Sequence, residues 1–126
     1  MSLLDKKIIH PLEVGQHDIQ IIHYSEGIAS NGNEYVTISY NADGENFARN
    51  RALFEMELGL FSINVANQIG YKGDDLNELF ELLERQPFKV WIVRNVVNNK
   101  EYFNWYYREP AEKHFSTVED LESEEL

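Results

Sequence analysis

Between Pro87 and Pro110 the chain alternates aromatic and aliphatic residues in two runs joined by the polar turn Asn98-Asn99-Lys100. Lys89, Arg94, Lys100 and Arg108 are spaced among Trp91, Tyr102, Phe103, Trp105, Tyr106 and Tyr107. Rings of this kind stack nucleobases through their π faces, and neighbouring cations neutralise phosphates. The same composition also packs a core or a subunit interface, so the run by itself leaves the function open. Signals for covalent chemistry are weak. There is no Cys to act as nucleophile or metal ligand, and His10, His17, His23 and His114 lack metal-binding spacing. The glycines form no phosphate loop, no nucleophile elbow is present, and the carboxylates of Asp74 to Glu84 recur at helical spacing on a wet face. An enzyme is not expected, and neither is a cofactor or a metal.

Further candidates lie upstream. Phe47, Arg49 and Arg51 alternate along one strand face and are expected to point outward, one stacking ring beside two phosphate partners. The bland alternative is a solvated exterior with one exposed Phe. In Glu34 to Tyr40, Tyr35 shares a face with Thr37 and Ser39 and is the expected base platform, while Val36 and Ile38 point to the core. In the first of the two aromatic runs, Phe88, Val90 and Ile92 are expected in the core, which turns Lys89 and Trp91 outward. Trp91 is as well suited to burial as to binding, and Trp105 to packing or a dimer contact as to a base. Arg94 and Lys100 sit where the last turn would meet phosphate, although exposed cations are usually only solvated.

These residues need a frame. At 126 residues with 43% hydrophobic content, the chain is long enough for one domain burying roughly two thirds of its unfolded surface. The lack of Cys, of a signal-like segment and of a long apolar run leads us to expect a cytoplasmic protein. The net charge of −11 opposes nucleic acid at first sight, but residues 112–126 hold six carboxylates against Lys113 alone, −5 of that total. The domain is therefore read as 1–111, followed by an acidic, disordered tail over 112–126.

Alternation predicts a first strand over Val14 to Tyr24, buried on both faces, then a turn at Asn31-Gly32 and a second strand over Glu34 to Tyr40. Asp43-Gly44 turns the chain into a third strand over Glu45 to Leu53. From Ala52 to Leu58 periods of two and of 3.6 both fit, and a helix is favoured from about Gly59. Asp75 and Glu78 resemble a capping box for a second helix with an apolar stripe of Leu76, Leu79, Phe80 and Leu83, stopped by Pro87. Strands four and five follow as Phe88 to Val97 and Glu101 to Arg108. Three antiparallel strands, a helical insertion and a closing hairpin make up the order of a five-stranded OB-fold barrel, so the expected class is mostly β.

The segments Glu13-Val-Gly-Gln-His-Asp-Ile, Ser30-Asn-Gly-Asn-Glu-Tyr-Val, Phe47-Ala-Arg-Asn and Val90-Trp-Ile-Val-Arg-Asn-Val-Val-Asn resemble small phage-encoded single-stranded DNA-binding proteins. Tyr102-Phe-Asn-Trp-Tyr-Tyr-Arg-Glu-Pro extends the likeness, which covers about residues 12–110 in strand order and aromatic-basic texture. It implies an OB-fold that coats single-stranded DNA in replication or recombination, as a homo-oligomer (dimer or tetramer), in the host bacterial cytoplasm. Bacterial relatives of such proteins recruit replication or recombination proteins through an acidic tail with an apolar tip. Here the tail ends Glu124-Glu125-Leu126, with Phe115 well inside it. The competing reading is an acidic protein-interaction module, a DNA mimic or oligomeric docking protein, with the aromatic hairpin as its interface.

Overall fold

The computed structural model describes residues 8–110, so the acidic segment 112–126 lies outside the described residues. Five antiparallel strands, β1 (Gly15–Ile28), β2 (Glu34–Ala42), β3 (Arg49–Phe54), β4 (Phe88–Val97) and β5 (Lys100–Tyr106), form one sheet in the order β3-β2-β1-β4-β5. Two helices, α1 (Glu55–Ile69) and α2 (Leu76–Leu83), come between β3 and β4.

The curl of the sheet begins in β1. Its start pairs with β4 (His17 with Val90, Ile19 with Phe88), and the rest pairs with β2 (Ile19 with Ala42, Ile28 with Glu34), so a single strand belongs to both halves. Between Ile21 and His23 the register slips by one residue. Such a bulge bends a strand and reverses the parity of its side chains. Ile21 opposite Tyr40 and Tyr24 opposite Ile38 therefore both face inward, and Ile22 is left 47% exposed. This corrects the expectation that both faces of the first strand are buried.

The turns use the residues that tolerate positive φ. Gly32 (φ 89°) closes the β1–β2 hairpin, and Asp43 (51°) and Gly44 (77°) leave β2. Asn98 and Asn99 (52° and 63°) form a two-residue connection between paired Val97 and Lys100, as a type I′ turn requires.

Strand β3 extends to Phe54, and α1 begins at once with Glu55, four residues earlier than the expected Gly59. Two acidic residues, Glu55 and Glu57, occupy its first turn, where the helix dipole favours them. Asp75 caps α2 as expected, its Oδ1 accepting from the Asn77 amide at 3.0 Å and the Glu78 amide at 3.4 Å. Both helices fill the concave side of the sheet. Phe61 of α1, fully buried, stacks on Phe80 of α2 with ring centres 5.4 Å apart and meets Phe88 and Tyr107 edge-on (5.4 and 5.1 Å). Ile19, Ile21, Ile38, Leu53, Leu83 and Val90 complete the core. The result is a half-barrel: among the described residues no ladder joins the edge strands β3 and β5.

Candidate nucleic-acid interface

Side chains rather than a backbone ladder bridge the seam between β3 and β5. Arg51 on β3 lies opposite the buried Ile38, so it points to the concave side and not outward. Its Nε donates to Glu57 Oε2 at 2.8 Å, and its Cζ lies 4.4 Å from the ring centre of Trp105 on β5. The Tyr107 hydroxyl donates to the same Glu57 carboxylate, and Tyr40 meets Trp105 edge-on at 5.4 Å. Burial, followed by the nearby Glu57 carboxylate, pushes the Tyr107 phenol far above its ordinary range, so it remains a donor. The Arg51 stem covers apolar surface while its head group is paired, the usual way an Arg tolerates an inward position.

Arg49 also faces inward, opposite Tyr40. Its guanidinium is held by Glu45 (2.9 and 3.1 Å) and by the His10 carbonyl (2.8 Å). The Glu45 hydrogen bond raises its pKa further. Phe47 precedes β3 instead of lying on it, and its ring sits 5.0 Å from Arg49 Cζ. The outward row Phe47, Arg49, Arg51 is thus overturned: the strand starts at Arg49, and acidic partners at Glu45 and Glu57 draw both arginines inward.

Strand β2 matches the expectation, with Val36 and Ile38 buried and Tyr35 on the other face. Tyr35 crosses β1 at Gly27, where an added Cβ would fall 2.5 Å from its ring, and it packs against Phe54 at 5.0 Å. Glu26, Glu34 and Glu55 line the groove beside it. Phe88, Val90 and Ile92 of β4 are buried as expected, but Trp91 on the opposite face is only 8% exposed and offers little stacking surface. Lys89 pairs with Asp18 (3.0 Å) and Arg94 with Glu101 (3.0 Å). Lys100, exposed at the β4–β5 turn, has no carboxylate partner among the described residues, and neither has the exposed Arg108.

The accessible rings lie on β5. Among the described residues it pairs with β4 alone, at the edge of the sheet, and both of its faces are partly open. Tyr102, Phe103 and Tyr106 are 46%, 51% and 40% exposed, and Trp105 is half-buried over Arg51. Tyr102 and Tyr106 share one face, and Phe103 and Trp105 the other, by strand alternation. None of the three exposed rings stood among the expected site residues. What marks them is their position on a terminal hairpin strand, where an aromatic face has only one neighbour to cover it.

Among the described residues no group of three His, Asp or Glu is disposed to hold a metal ion, and no helix is long and apolar enough to cross a membrane. The sequence matches no protein-family model, and no curated protein matches it. Fold and site together define an antiparallel half-barrel with a ring-bearing edge strand.

Proposed function

We propose that this chain is a sequence-independent single-stranded DNA-binding protein built on an OB-like barrel open between its third and fifth strands. The carrying observation is the exposure of Tyr102 and Tyr106 on one face of β5 and of Phe103 on the other, flanked by Lys100 and Arg108, which have no carboxylate partner among the described residues. Bases stack on these rings, each contributing about 1–3 kcal/mol, and the flanking cations track the backbone. Trp105, held by Arg51, is the inner end of the platform. Tyr35 is a weaker platform because carboxylates line the adjoining groove. A role in phage replication or recombination and assembly as a homo-oligomer belong to the same proposal.

One observation favours the acidic interaction module instead: Arg49, Arg51, Lys89 and Arg94 are all ion-paired within the chain. Anisotropy of a labelled dT oligonucleotide and of its duplex, at low and moderate salt, separates the two. Binding to the single strand, weakening with a log–log slope of about −0.7 per phosphate neutralised, supports the DNA reading. Absence of binding at low salt leaves the hairpin as a protein interface.

A further inference from the structure

Helix α1 carries two apolar stripes. Leu58, Phe61 and Val65 turn to the core, whereas Met56, Leu60 and Ile63 are 83%, 56% and 72% exposed. Their spacing of four and three residues sets these three side by side on one flank of the helix. Phe54, 42% exposed, continues the strip where β3 enters the helix, and Ile28, 68% exposed, stands across the groove between the β1–β2 hairpin and α1. Isolated exposed apolar residues are ordinary, but a connected strip marks an interaction surface.

Gly59 gives the strip its shape. It lies mid-helix, where glycine weakens a helix, and nothing comes within 4 Å of the position its Cβ would take. The missing side chain leaves a notch between Met56 and Ile63 that admits a partner side chain to the helix backbone. The charged residues that line the depressions beside the strip are all acidic. Glu26, Glu34 and Glu55 line the groove, Asp74 and Asp75 line the depression next to Ile63, and none of them pairs with a cation among the described residues.

We infer that the Met56–Leu60–Ile63 face of α1 docks a basic, apolar segment of a partner protein, with aliphatic side chains over the strip and Lys or Arg side chains on the Glu26, Glu34 and Glu55 rim. The charge selects this occupant. A nucleic acid is repelled by the rim, and a second copy of this chain, meeting the same face by a two-fold axis, would oppose carboxylate to carboxylate. The surface is separate from the β5 platform and does not depend on the DNA-binding proposal.

The test uses the full chain and a fluorescently labelled helical peptide with leucines at helical spacing and lysines on the flanks, alongside the same peptide with Glu in place of Lys. At physiological salt the Lys peptide binds and the Glu peptide does not. Leu60→Asp with Ile63→Asp weakens the Lys peptide at least tenfold at unchanged melting temperature. Because those changes add negative charge, nonspecific attraction would move the affinity the other way. Glu26→Gln, Glu34→Gln and Glu55→Gln together weaken binding several-fold and flatten its salt dependence, which keeps the inference testable should the aspartate variant fail to fold. Binding unaffected by either variant, equal binding of both peptides, or no binding of the Lys peptide to the wild-type chain overturns it.

Discussion

Two exposed surfaces of this half-barrel differ in chemistry although both are apolar. On β5 the exposed apolar side chains are rings, and the cations beside them, Lys100 and Arg108, have no carboxylate partner among the described residues. On α1 they are the aliphatic Met56, Leu60 and Ile63, with Glu34 and Glu55 lining the depression at Met56 and Glu26 the adjoining groove. Flat π faces suit bases and cations suit phosphate, while flexible aliphatics between carboxylates suit a basic protein segment. A chain with net charge −11 can therefore present a local surface for a polyanion, because the field near each patch depends on its own neighbours within a Debye length of about 8 Å.

Both surfaces rest on the same core, so the largest effect should remove them together. Phe61→Ala, which empties the space among Phe80, Phe88 and Tyr107, is expected to destabilise the fold by about 3–5 kcal/mol in chemical denaturation. Next, Tyr102→Ala and Phe103→Ala should each weaken dT oligonucleotide binding by about 1–3 kcal/mol in anisotropy titrations, and equal losses from Met56→Ala would erase the distinction between the surfaces. Arg51→Ala removes the Glu57 ion pair and the cover over Trp105. It should lower stability by about 1–2 kcal/mol and shift the Trp emission, marking the seam as the support of the platform.

Acid sharpens the comparison from the side opposite the seam. Burial alone would raise the Asp43 carboxyl, but hydrogen bonds from the His17 ring and the Asp18 amide, with the coulombic pull of His17 and Arg49, hold it below its ordinary value of 3.8. A group depressed in the folded state stabilises the fold above its unfolded pKa, and that contribution is lost as pH falls through the folded value. The stability difference between wild type and Asp43→Asn, followed by urea denaturation, should thus be present near neutral pH and close below about pH 4. The smallest effect concerns α1: Gly59→Ala should raise stability by roughly 0.5–1 kcal/mol by favouring the helix, while filling the notch.

Strands β2 and β4 were legible because an apolar run at period two, Val36 and Ile38 in one and Phe88, Val90 and Ile92 in the other, fixes the inward side. Strand β3 misled because the reading treated arginine as an outward residue. The partner that draws Arg51 inward, Glu57, belongs to the stretch where strand and helix periods both fit, and only the α1 start at Glu55 brings the two together. A similar blindness applies to the bulge at Ile22, which no local residue type announces, and to Lys89, whose partner Asp18 is 71 residues away. On α1 both stripes are aliphatic or aromatic, so periodicity identified the helix without showing that Met56, Leu60 and Ile63 face solvent.

The claim at the centre of this account is that single-stranded DNA engages β5 and leaves α1 free. A titration of ¹⁵N-labelled protein with a dT oligonucleotide, read as amide and indole chemical-shift changes, tests it directly. The account predicts shifts concentrated from Lys100 to Arg108 and at the Trp105 indole, with Met56, Leu60 and Ile63 unmoved; shifts centred on α1, or none at any residue, would contradict it.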